Sequence, residues 1–139
     1  PDSLAEAADL RSFARLRLDR LRKRARRGAQ AAASLEPTRL HALRIDFKLL
    51  RYGVEFFAPL FGAKGISRYL DGLVRTQTTL GFLQDVDSAQ QRLAEWTRTQ
   101  PEVAAAAAFV LGWHAPRYAQ LRRRVLRECE PLLWGGKPW

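Results

Sequence analysis

Residues 40–57, LHALRIDFKLLRYGVEFF, restrict the fold more than any other stretch of this chain. His41, Arg44, Lys48, Arg51 and Glu55 recur at steps of three and four. On a helix that turns by about 100° per residue they form one narrow stripe. Leu40, Leu43, Phe47, Leu50, Val54 and Phe57 fall on one side of the stripe, and Ile45, Leu49, Tyr52 and Phe56 on the other. A surface helix normally carries one broad polar face. Here a thin cationic line runs between two apolar walls, and an unpaired cation buried in such a setting is costly. The pattern therefore calls for a water-filled groove that an anion can enter.

The rest of the chain has the same helical period, and no alternating strand pattern stands out. A first helix is expected over residues 3–30, with Leu10, Phe13, Ala14, Leu18 and Leu21 sharing a face and Gly28 weakening its end. Arg17, Arg20 and Arg24 border that face, whereas Arg15, Arg22 and Arg26 point away. Pro37 suits the start of the stripe helix, which stops near Pro59. A third helix is expected from about Ile66 toward Leu83. Asp85 and Asp87 then act as candidate N-caps of a fourth, which ends before Pro101. A fifth runs from Glu102 to Trp113, Pro116 interrupts the pattern, and a last helix covers Arg117 to about Cys129. The Gly- and Pro-rich tail should pack irregularly. Short connections make successive helices antiparallel neighbours, so residues 1–139 are expected to form a single all-α antiparallel bundle of about four long helices with short ones added.

A chain of 139 residues with 47% hydrophobic content can bury a real core. Lys and Arg number 24 against 14 acidic residues, a net charge of +10, which points to a polyanionic partner. Most of the cations are arginines, whose planar fork matches phosphate oxygens. The single cysteine, Cys129, allows neither an intrachain disulfide nor a thiolate zinc site, and fits a cytoplasmic location. No apolar run reaches the ~20 residues needed to span a bilayer. The chain lacks Met and opens Pro-Asp-Ser, as a piece of a longer polypeptide would.

The stripe helix resembles the signature of the CHAD family, all-helical domains named for their histidines. The family pattern L-H-x-L-R-I-x-x-K-x-L-R-Y-x-x-E is matched at Leu40, His41, Leu43, Arg44, Ile45, Lys48, Leu50, Arg51, Tyr52 and Glu55. Gln77-Thr78-Thr79-Leu80-Gly81, followed by Asp85, is similar to the family's LQ-x-x-LG-x-x-x-D, with Thr76 in place of the usual Leu. Gly112-Trp113 and Pro138-Trp139 also look like family features. A full CHAD domain consists of two similar bundles, so the resemblance implies that this chain is the second half and that an N-terminal half is its partner. It also implies binding of inorganic polyphosphate, association with polyphosphate or storage granules, and in some architectures a neighbouring triphosphatase domain.

On this reading Arg44, Lys48 and Arg51 are the prime phosphate ligands, rising along one side of a helix to meet successive phosphates. The plain alternative is internal ion pairing with Asp46 or Glu55, and Glu55 is well placed to pair with Arg51 at i+4. His41 would donate to a phosphate oxygen or hold an arginine in place. Tyr52 would pack with its hydroxyl at the groove rim. Arg17, Arg20 and Arg24 would line the opposite wall, and Arg124 would extend the surface. His114 and the four tryptophans are expected in core or end packing, and Asp85 is expected to cap a helix or hold an arginine.

An enzyme is not expected. There is no H-E-x-x-H, no glycine-rich phosphate loop and no cluster of carboxylates, and no cofactor or metal is called for. Nucleic acid is the main rival partner, because basic helices bind phosphate backbones by releasing counterions. Cations set between apolar walls nevertheless suit a duplex poorly. A third reading is a structural module that docks onto a granule or a partner protein.

Overall fold

The structure, a computed structural model, describes residues 2–139. Within them the chain forms helices α1 (Asp2–Ala31), α2 (Pro37–Phe57), α3 (Ala63–Thr99) and α4 (Ala104–Leu133), joined by short 3-10 turns. No strand occurs among the described residues. Consecutive helices pack side by side, and α1 closes the bundle against α4.

Each break between helices has a local cause. Leu35 adopts a left-handed backbone with φ of 59°, which stops α1 and its 3-10 extension. Arg122 of α4 donates to the Leu35 carbonyl at 3.0 Å and holds this turn in place. Glu36 is extended, as a residue before proline must be, and Pro37 opens α2 where its missing N–H has no helical partner to lose. Pro59 sits in the 3-10 turn that ends α2.

Two expected breaks do not exist. Residues 66–83 and the segment after Asp85 and Asp87 belong to one 37-residue helix, about 55 Å long. Asp87 is no N-cap. It is buried, and it accepts a hydrogen bond from the Tyr118 hydroxyl of α4 at 2.6 Å. Asp85 is exposed in mid-helix and caps nothing. Likewise α4 runs straight through Pro116. An interior proline costs about 3 kcal/mol, and α4 holds two, Pro116 and Pro131, in a helix anchored by the buried Ala107, Leu121, Val125 and Cys129.

The core is the inner face of α2, Leu40, Leu43, Phe47, Leu50 and Val54, meeting Leu18 and Ala25 of α1, Leu73, Leu80 and Leu83 of α3, and Val125, Cys129 and Leu133 of α4. Burial pushes the Cys129 thiol up to about 12, so it remains protonated and inert, as a structural cysteine should.

The charge run of α1 is only partly a solvated face. Arg22, expected to point away, is 5% exposed. Its Nε donates to the Leu132 carbonyl at 2.9 Å and its Nη2 to the Gly135 carbonyl at 2.6 Å. Arg26 donates to the Leu133 carbonyl. The two guanidiniums thus meet the carbonyls of Leu132 and Leu133 in the last turn of α4 and that of Gly135 just beyond it, with the Tyr69 hydroxyl sharing Leu132, and a cation there also complements the helix dipole. Arg15 alone of the three is exposed as expected. The tail is fixed as well: Lys137 and the Trp139 indole both donate to Asp19, at 2.6 and 2.9 Å, and Trp139 meets the Tyr69 ring edge-on. Trp139 is thus in end packing, but Trp96, Trp113 and Trp134 are exposed, contrary to expectation. Trp96, Phe109 and Trp113 sit on the outer stretch of the α3–α4 hairpin, where neither α1 nor α2 offers a surface to cover them.

Candidate anion-binding site

The register of α2 positions the site. Its inner wall is core, and that turns the stripe toward α3. An ideal Cβ on Gly81 would lie 3.6 Å from Arg44 Nε, so Arg44 runs across the bare backbone at Gly81. Arg44 and Arg51 are half-buried, and His41, Lys48 and Glu55 are exposed. Arg51 Nε lies 3.4 Å from Glu55 Oε1. This is within reach of charge attraction but outside hydrogen-bond alignment, for Arg51 Nε is buried with no hydrogen-bond partner. So are Arg44 Nε and Gln77 Oε1.

Lys48 Nζ and the Arg51 guanidinium stand 5.7 and 5.0 Å from the centre of the Tyr52 ring. The ring spaces two like charges and favours both through its π face. This places Tyr52 among the cations as a platform, with its own ring exposed.

The second apolar wall has no cover. Ile45, Leu49, Tyr52 and Phe56 are all exposed, Phe56 by 78%. The stripe therefore lies along a seam between α2 and α3, with an exposed apolar ridge on its other side. That ridge separates it from Arg17, Arg20 and Arg24. Gly53 of α2 faces Leu18 and Leu21 of α1, and Phe57 faces Phe13, so α1 lies on the flank of α2 away from Gly81 and α3. Arg17, Arg20 and Arg24 are exposed there and do not form a facing wall. Arg24 is held by Asp46 at 2.6 Å.

Arg124 lies on the far side of α3. It pairs with Glu128 at 2.9 Å and lines a basin of about 900 Å³ with Arg68, Arg75 and Lys137, over Tyr69 and Leu132. The stripe cations thus come together, whereas Arg124 and the α1 arginines occupy separate faces. His41 stands exposed at the first turns of α2. His114 is also exposed, its ring 6.2 Å from that of Phe82.

Sequence reasoning did not place Gln77 in the site. Its position in the second motif, one helical turn before Gly81, was the available signal.

A family model, CHAD domain, matches residues 1–94. This chain belongs to the CHAD domain family. The match takes in α1, α2 and α3 as far as Ala94, and so includes the whole stripe and Gln77. No curated protein and no solved structure matches the chain. Among the described residues of this CHAD domain, no helix is long and apolar enough to cross a membrane, and no group of three or more His, Cys, Asp or Glu is placed to hold a metal ion.

Proposed function

We propose that this CHAD domain binds inorganic polyphosphate without cleaving it, along the α2–α3 seam. The observation that carries the reading is the pair of buried, unmet Nε–H groups on Arg44 and Arg51, two turns apart on the same helix side. A buried donor without a partner is rare in a folded protein and destabilises it. A chain of phosphates would meet both donors, with Lys48 between them and His41 at the entrance. Charge-assisted bonds from guanidinium to phosphate are strong and directional. The one carboxylate of the stripe, Glu55, lies within charge-attraction range of Arg51 without a hydrogen bond to it, and a single carboxylate among cations suits binding better than acid–base chemistry.

Family membership supports polyphosphate over other anions. The exposed ridge of Ile45, Leu49 and Phe56 supports a second helical unit, such as the other half of a CHAD domain, packing beside the stripe and completing the groove. Residence in the cytoplasm, on polyphosphate or storage granules, follows from the same reading. Nucleic acid is the weaker partner, because a base-stacking platform needs several aromatic rings in a row and Tyr52 is, among the described residues, the one ring set against the stripe cations.

The test is titration with long-chain polyphosphate at near-physiological salt, comparing wild type with a folded Arg44→Ala, Lys48→Ala, Arg51→Ala variant and using duplex DNA as competitor. Tight binding that falls steeply with salt, is lost in the variant and survives DNA is the expected result. Equal binding by both proteins, or ready displacement by DNA, would reduce the site to diffuse surface charge.

A further inference from the structure

We infer that Gln77 of α3 is a direct ligand of the polyanion, donating its side-chain amide to a phosphoryl oxygen held between Arg44 and Arg51. The inference rests on the polyphosphate reading of the α2–α3 seam and adds a neutral, specificity-determining residue to it.

Among the described residues, three buried side-chain atoms lack a hydrogen-bond partner: Arg44 Nε, Arg51 Nε and Gln77 Oε1. All three belong to the same seam. Arg44 passes over Gly81, and α2 and α3 run antiparallel. Gln77 lies four residues from Gly81, about 6 Å along α3. Arg51 lies seven residues from Arg44, about 10 Å along α2. Gln77 is therefore level with the gap between the two arginines. Two donors and an acceptor of matching chemistry make no bond with one another, and each remains buried. One bound group placed among them would resolve all three.

The chemistry of that group follows from the donors. The two ends of a glutamine amide exchange places by a half-turn of the terminal torsion. With its NH2 turned inward, Gln77 joins Arg44 and Arg51 in a set of converging donors. The oxygens of an internal phosphate in a condensed chain are acceptors only, and they fit such a set. A neutral donor also differs from a cation in a measurable way: it releases no counterion, so it adds affinity without adding salt dependence.

The experiment measures polyphosphate affinity across a salt series for wild type, Gln77→Leu, Gln77→Glu and Arg44→Ala, with thermal melts of each free protein. The expected result for Gln77→Leu is an affinity at least fivefold weaker, an unchanged slope of log K against log salt, and a melting temperature equal to or above wild type, because an unmet polar group has been removed. Gln77→Glu should bind more weakly still, through repulsion. Arg44→Ala should flatten the slope by about one. Wild-type affinity in Gln77→Leu would overturn the inference and leave the seam standing. Weaker binding together with a lower melting temperature or a changed slope would overturn it in favour of a structural role. Absence of binding by wild type would remove the polyphosphate reading itself, and the inference with it.

Discussion

Arg24 donates from Nε to Asp46 Oδ1 at 2.6 Å across the α1–α2 interface, with 56% of the arginine side chain exposed and only 10% of the aspartate. A cation that the charge pattern offers to an outside anion thus already serves one inside the fold. The carboxylate is the vulnerable partner, because it would be left buried and unmet if the pair were broken.

Gly28 makes that pair possible, and its substitution tests it. A Cβ at this position would come within 2.6 Å of Asp46 Oδ2. Ordinarily Gly→Ala inside a helix stabilises by about 0.5–1 kcal/mol. Gly28→Ala should instead destabilise by about 1–3 kcal/mol, as overpacking does. Gly112→Ala in α4, where nothing lies within 4 Å of the new methyl, should show the ordinary gain. Urea midpoints of the two variants, measured side by side, decide the matter. A stabilised Gly28→Ala would mean that Asp46 moves aside freely.

Arg22 and Arg15 look alike in the sequence and should behave oppositely. Arg22→Met removes two bonds to carbonyls at the end of α4. Bonds to a charged group contribute roughly 1.5–3 kcal/mol each in favourable cases, so a loss of at least about 2 kcal/mol in unfolding free energy is expected. Arg15→Met, on an exposed side chain, should stay within about 0.5 kcal/mol of wild type. Equal effects in chemical denaturation would refute the assignment of Arg22 as a helix-end clamp.

These contrasts show what the sequence makes legible. The register of α2 is readable because Pro37 fixes its start and the spacing of Leu40, Leu43, Phe47, Leu50 and Val54 leaves one way to face the core. The direction of the stripe is not, since only α3 and its Gly81 decide which flank Arg44 leans toward. Asp87 carries a capping signal that is locally sound, but its actual partner, Tyr118, lies 31 residues on. Burial and the adjacent Asp87 carboxylate push the Tyr118 hydroxyl up to about 12 and keep it a donor. Arg22 is the hardest case. Its partners are backbone carbonyls more than 100 residues away, and no residue type marks a carbonyl that needs a donor.

Acid should loosen the tail through Asp19. Burial raises its carboxyl, but hydrogen bonds from Lys137 and Trp139, with the charges of Lys137 and Arg22, outweigh that and hold it below its usual value of 3.8. A carboxyl depressed in the folded state adds stability that is fully present above the unfolded value and lost as pH falls through the folded one. Wild-type stability should therefore decline more steeply than that of Asp19→Asn below about pH 4, with a constant gap between them above about pH 5. Thermal melts over that range provide the check, and parallel curves would show that Asp19 contributes nothing to holding the tail.

The clamp between α1 and the end of α4 also has a meaning in time. The carbonyls of Leu132, Leu133 and Gly135 leave the ribosome more than a hundred residues after Arg22 and Arg26, the side chains that grip them. Until that segment has emerged, α1 carries two guanidiniums on its inward side with nothing to hold. Helix α1 is thus completed by the end of α4, and closure of the bundle must wait until synthesis has passed Gly135.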